Sequence, residues 1–253
     1  MFSLRQLKKR DYVEIMKALI IDSSSSACSV AVTSAESVIG HSQCPMERGH
    51  DSALIPMIKD TLMLAKTDVW ELKFVAVTIG PGSFTGLRIS LAAAKGIALS
   101  ANIPLIGISC FDAIAGRIKT DSKLPKTDLL LIALASKRKE LYIECLNKNG
   151  APVIMGQALS VPETLIKIQE IYKFNQTIRL AGDAGLILLN ELRKIIKPSS
   201  LILSENFEGI DALDLTKTAN FRNQLTKTDQ SDYQSQTTIN YVRKPDISPP
   251  QGK

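Results

Sequence analysis

Residues 72–90 read LKFVAVTIGPGSFTGLRIS, and this stretch decides the fold class. A β-branched apolar run over Phe74–Ile79 predicts a strand, and three glycines and a proline follow it directly. Leu87–Ala101 then reads as a helix that is apolar nearly all round, apart from Arg88, Ser90 and Lys95. Such a helix has to be covered on most of its faces, by the rest of the fold or by a partner. The glycines stand at 80, 82 and 86, which is neither the G-x-G-x-x-G dinucleotide fingerprint nor a P-loop, and no lysine follows Gly86. Two readings of the loop stand side by side. In one, Ser83 or Thr85 caps the helix, and free N–H groups over Gly80–Gly86 with nearby Arg88 attract an anion. In the other, the loop is a tight strand-to-helix turn needing positive φ at Gly82 and close packing at Gly86.

Upstream, Lys17–Asp22, Cys28–Thr33 and Ser37–Ser42 are short strands separated by polar turns, which is a meander. Asp22 ends the first of them and Ser23 opens the serine turn, so IDSSSSACSVAV is either a phosphate hairpin of the actin-like kind or a plain serine-rich β-turn. Asp51–Lys66 carries Leu54, Ile58, Leu62 and Ala65 at helical spacing. Downstream come a strand at Pro104–Ser109, a short helix at Phe111–Ile118 and a linker-like KTDSKLPKTD. Strands at Leu129–Ala135 and Leu141–Leu146, a helix at Pro162–Tyr172, a strand at Ile178–Ala181 and helices at Leu186–Ile196 and about 209–220 complete the pattern. Strands and helices alternate throughout, so the class is α/β in two subdomains. The expected division is a leader over 1–15, disordered or mis-assigned, a first subdomain over 16–118 and a smaller second one over 125–205. A helix over 206–221 is expected to pack back on the first subdomain, with a mostly polar tail from 222 to 253 in which only NYVRKP regains β character.

Among 253 residues, 45% are hydrophobic and 22% charged, with mean hydropathy +0.06. This is enough chain to bury a sizeable core. The net charge of +6 is modest, and +3 of it sits in residues 1–17, so charge alone predicts only salt-sensitive attraction to RNA. Cys28, Cys44, Cys110 and Cys145 are scattered with no C-x-x-C pair, which fits a reduced, cytoplasmic compartment. No run reaches the roughly 18–20 apolar residues a membrane span needs. Histidine occurs only at 41 and 50. His50 opens a helix, but the i+4 position that would complete an H-x-x-x-H metal pair is Leu54, so a metallopeptidase lacks ligands and His50 reads as a surface or capping residue. The turn SKRKE reads as a solvated tip and AGDAG as a structural turn into a helix.

Taken together, MKALIIDSSSSACSVAV, ERGHDSALIPMI and VAVTIGPGSFTGLRISLAAAKGIALSANIPLIGIS resemble the TsaB (YeaZ) family, closely and in order from Met16 to about Ser109. Beyond residue 120 the resemblance is loose: AGDAG is similar to the family's Gly-Asp-Gly turn and NYVR to its terminal Tyr-Leu-Arg. Ala133 or Ala135 stands where the family pattern has an acid. The resemblance implies an actin-like ATPase fold with a degenerate catalytic site and no catalytic residues or metal of its own. It implies a scaffold subunit that binds the catalytic subunit TsaD and supports threonylcarbamoyl transfer to the tRNA adenosine next to the anticodon. TsaE joins that assembly, the chain self-associates as a homodimer, and tRNA is met indirectly, through the complex. No intrinsic cofactor is expected, with ATP or ADP placed at the partner interface; separately, Asp22, Ser23, Gly80, Gly82, Ser83, Thr85, Gly86 and Arg88 are the candidate anion- or nucleotide-contacting residues. Helical spacing nominates Leu54, Ile58, Leu62, Leu91 and Lys95 for the partner surface. The competing reading is a free-standing actin-like ATPase or small-molecule kinase.

Overall fold

The computed structural model describes residues 16–35, 37–120, 127–204, 209–226 and 237–239; the leader and NYVRKP lie outside these. Strands β1 (Lys17–Ser25), β2 (Ala27–Ser34), β3 (Ser37–Pro45), β4 (Leu72–Thr78) and β5 (Leu105–Ile108) form one sheet in the order β3-β2-β1-β4-β5. Strands β6 (Leu129–Leu134), β7 (Leu141–Asn147), β8 (Pro152–Leu159), β9 (Ile178–Ala181) and β10 (Leu201–Leu203) form a second in the order β8-β7-β6-β9-β10. In both, the first three strands pair antiparallel and the last two join in parallel. Helices α1 (His50–Leu64), α2 (Phe84–Ala101) and α3 (Cys110–Thr120) follow the third, fourth and fifth strands of the first half. Helices α4 (Val161–Ile171), α5 (Gly185–Leu192) and α6 (Ala212–Thr226) do the same in the second. Each half therefore runs βββαβαβα, a structural repeat with no matching repeat in the sequence.

The central strands β1 and β6 are nearly continuous apolar runs because both of their faces are covered. Leu19 and Ile21 of β1 point to a core shared with Leu54, Ile58, Leu91 and Ala94 of α1 and α2. Ala18 and Ile20 point the other way, into a core that also holds Leu130, Ile132 and Leu134 of β6, together with α3 and α6. The remaining face of β6, Leu129, Leu131 and Ala133, packs with Ile168 of α4 and Leu188 of α5. The two halves thus share their middle layer. Helix α6 is tied to the first sheet at its start, where Ser29 Oγ accepts the Ala212 N–H at 2.9 Å and His41 Nε2 lies 2.9 Å from Asp211 Oδ1.

Several elements depart from the sequence reading. Helix α2 starts three residues early, at Phe84, because Ser83 caps it and accepts the Gly86 N–H at 3.3 Å. Helix α5 ends at Leu192 and not Ile196. Strands β8 and β10 were not expected: β8 is an edge strand with Val153 and Met155 facing out, so it lacks clean alternation. Its Gly156 is needed because a Cβ there would press on the Phe111 ring at 2.9 Å. Helix α6 continues to Thr226, and within the expected polar tail Thr237 is buried against β5, its hydroxyl 3.3 Å from the Leu105 carbonyl.

Candidate functional site

Asp22 sits near the end of β1 and is completely buried. Its Oδ1 accepts the Ser24 N–H at 3.1 Å, the Ser24 hydroxyl at 2.7 Å and the Thr78 hydroxyl at 2.7 Å, which pins β1 to the end of β4. Oδ2 is buried with no hydrogen-bond partner among the described residues. Burial pushes the carboxyl up to about 6, only partly offset by the hydrogen bonds from Ser24 and Thr78. The sign follows: the folded state favours the neutral acid, so this contribution to stability is complete below the unfolded value near 3.8 and is lost as pH rises through about 6. We expect Asp22→Asn, which keeps the shape without the charge, to be more stable than the parent above pH 6 by about 3 kcal/mol. The difference should vanish near pH 4, as measured by urea denaturation at both pH values; equal stabilities throughout would refute a buried, raised carboxyl.

The glycine loop is mated to the serine hairpin. The Ser83 N–H donates to the Ser24 carbonyl at 2.7 Å, and the Ser23 hydroxyl donates to the Gly86 carbonyl at 2.8 Å. A Cβ on Gly82 would overlap the Ser24 carbonyl oxygen, and one on Gly86 the Ser23 carbonyl oxygen. The packing reading of Gly86 therefore holds, but the positive φ belongs to Gly80 (φ 106), before a cis Gly80–Pro81 bond, and not to Gly82. The expected contacts Asp22, Ser23, Gly80, Gly82 and Gly86 are thus brought together, with the Ser24 and Ser23 carbonyls packed against Gly82 and Gly86. Ser83 and Thr85 do line the cleft between the two halves, and Arg88 lies over the Phe84 ring at 3.7 Å.

That cleft encloses about 680 Å³. Its far wall repeats the same device. Gly182 (φ 98) is pressed against the Ala133 carbonyl, and Asp183 Oδ1 accepts the Ala135 N–H at 2.7 Å. AGDAG is thus a structural turn that also lines the cleft, and the SKRKE turn forms its rim with exposed Lys137 and Arg138. Strand β6 reads LLLIAL and carries no acidic residue, whereas β1 carries Asp22. His50 is not on the surface, as expected from sequence, but 6% exposed on the floor of the cleft. No local signal marks it as buried; only the packing of α1 on β2 and β3 does. Among the described residues, no three His, Cys, Asp or Glu side chains converge as metal ligands, and no helix is long and apolar enough to cross a membrane. All four cysteines are free thiols.

Of the nominated partner surface, Leu54 (0% exposed), Ile58 and Leu91 (7%) belong to the core under α1 and α2, Leu62 is half-buried, and Lys95 is exposed. Helical spacing found the apolar stripe that faces the sheet. A second stripe faces out: Ile55 (56% exposed) and Met63 on α1, and Phe84, Ala92, Gly96 and Leu99 (73%) on α2.

Two duplicated βββαβαβα halves facing each other across a cleft define the actin-like ATPase fold. The sequence pattern of the family described as TsaD, tRNA N6-adenosine threonylcarbamoyltransferase, matches residues 44–212. A protein of Buchnera aphidicola from Schizaphis graminum, named tRNA threonylcarbamoyladenosine biosynthesis protein TsaB, is 36% identical over 154 residues, covering 60% of this chain and 70% of the relative. Its namesake in Escherichia coli is 40% identical over 101 residues, covering 40% of this chain and 43% of that one. A crystal structure from Pseudomonas aeruginosa, of an uncharacterized protein with similarity to peptidase YEAZ, superposes with a TM-score of 0.69 at 22% identity. It covers 90% of this chain and 100% of its own. The chain belongs to the TsaB (YeaZ) family, within the wider TsaD family.

Proposed function

We propose that this protein works in the biosynthesis of threonylcarbamoyladenosine on tRNA, as a non-catalytic scaffold that binds TsaD and supports transfer of the threonylcarbamoyl group to the adenosine next to the anticodon. The observation that carries this reading is the outward stripe of α1 and α2. Ile55, Met63 and Leu99 are exposed on these helices among Lys59 and Lys95, and a Cβ added to Gly96 meets nothing within 4 Å. Apolar side chains exposed around small residues suit a second helix pair lying flat against them. The relatives' name supplies the pathway. A nucleotide, where the assembly takes one, then lies between subunits. TsaE, tRNA and a second copy of this chain meet the assembly as further partners, in the cytoplasm.

The test is co-purification with tagged TsaD. Ile55→Glu and Leu99→Arg place charges on the stripe without touching the core, so stability should change by less than about 0.5 kcal/mol. Together they are expected to weaken TsaD binding by about 100-fold, with a matching loss of threonylcarbamoyladenosine from tRNA. Undiminished binding by the folded double variant would overturn the interface.

A further inference from the structure

Cys28 and Cys44 stand directly opposite each other where β2 pairs antiparallel with β3. The register runs unbroken from that end of the ladder to Val32, and its one shift lies beyond, between Val32 and Thr33. Directly opposed residues of such a pair have Cα atoms about 4.5–5.5 Å apart and side chains on one face, within the roughly 4.4–6.8 Å that a disulfide spans. The face is the one toward α1. Cys28 packs in the core with Leu54 and Ile58, and the hydroxyl of Ser42, two residues before Cys44, lies 2.9 Å from that of Thr61. Strand β3 is at the edge of its sheet, and Cys44 is exposed there while Cys28 is buried. Burial pushes the Cys28 thiol up to about 11, with the Asp22 carboxylate and Cys44 itself adding to the rise. An oxidant therefore meets Cys44 first, since the thiolate is the reactive form and Cys28 is both covered and held as a thiol. Cys110 and Cys145 are buried in the two other cores, away from this pair.

From this juxtaposition we propose that Cys28 and Cys44 are a modification site, a dithiol that a hydroperoxide closes into a reversible cross-strand disulfide. The Cys44 thiolate attacks one peroxide oxygen: an S–O bond forms, the O–O bond breaks, and the departing oxygen takes up a proton as water or an alcohol. The Cys28 sulfur then attacks the Cys44 sulfur. The S–S bond forms, the S–O bond breaks, and hydroxide leaves with the Cys28 proton as water. The two thiols lose two electrons in all, and the peroxide gains them. In a reducing compartment the pair stays as thiols until such an oxidant arrives, and thiol–disulfide exchange restores it. The bond ties the end of β3 to β2 just before the chain turns into α1. The proposal does not depend on the TsaD reading, and its failure leaves that interface untouched.

The test treats the reduced, full-length protein with a small excess of hydrogen peroxide, blocks remaining thiols by alkylation and maps the peptides without reduction. One linked pair is expected, Cys28 with Cys44, lighter by two hydrogens and reopened by dithiothreitol, while Cys110 and Cys145 are recovered as thiols. Cys44→Ser alters an exposed side chain, so the variant should fold, and it should slow the loss of the Cys28 thiol by about tenfold or more. Cys28→Ala should leave Cys44 as a sulfenic acid that dimedone traps, or carry it on to the sulfinic acid. In urea the same treatment should lose its selectivity and draw in Cys110 and Cys145. The proposal is overturned if Cys44 of the unaltered protein passes to the sulfinic acid while Cys28 remains a thiol. A bond from Cys44 to another cysteine or to a second copy, a Cys28–Cys44 link that forms only in urea, or undiminished oxidation of Cys28 in Cys44→Ser overturns it equally. The peptide map of the unaltered protein decides the matter even if Cys28→Ala does not fold.

Discussion

Leu54→Asp is expected to unfold the protein, not merely to detach a partner. Leu54 is fully buried among Leu19, Val30, Val32 and Ile58, where α1 packs on the first sheet. An aspartate there would bury a charge with no cation beside it, or draw a proton and still leave an acid unsatisfied in an apolar core. Truncation to alanine alone is expected to cost about 2–5 kcal/mol, and the charge adds several more, against a total stability of about 5–15 kcal/mol for a domain. Urea denaturation and soluble yield measure this. Leu91→Asp should behave alike, while Leu99→Arg, eight residues further along α2 and exposed, should fold normally. If Leu54→Asp folds with native stability, the side of α1 assigned to the sheet is wrong.

The second large effect is expected at Gly86. Its missing Cβ is what lets the start of α2 lie against the Ser23 carbonyl, and both sides of that contact are backbone, which has little room to yield. Gly86→Ala should therefore destabilise by about 3 kcal/mol and weaken the Ser83 N–H bond to the Ser24 carbonyl, which holds hairpin and loop together. Gly96→Ala, on the same helix but over open space, should instead stabilise by about 0.5–1 kcal/mol by removing a flexible residue from a helix interior. Thermal denaturation of the pair separates them in sign. A Gly86→Ala protein as stable as its parent would refute the mated hairpin and loop.

These two sites also mark where sequence reasoning stops. The alternation of KALIID, the glycine turn and the apolar α2 segment was enough for an α/β class, since periodicity and turn chemistry are local properties. The run GPGSFTG was enough for a family resemblance. Ser83 as a cap and Glu163 in the first turn of α4 were likewise legible, and Ser160 and Glu163 do close a capping box there. Helical spacing on α1 puts Leu54, Ile58 and Leu62 on one face, while Lys59 interrupts the face of Ile55 and Met63; spacing alone does not say whether the apolar face meets the sheet or a partner.

The sequence by itself thus determined the order and type of most elements and the kinship, because each rests on residues within a few positions of one another. Only the tertiary structure decided what the glycines at 82 and 86 are for, since the carbonyls they accommodate lie about sixty residues earlier in the chain, on the hairpin. It also decided that the two halves repeat one topology, that His50 lies on a cleft floor and that Leu54 faces inward. Each of these depends on which surfaces the two sheets cover, and coverage is a property of the packed whole.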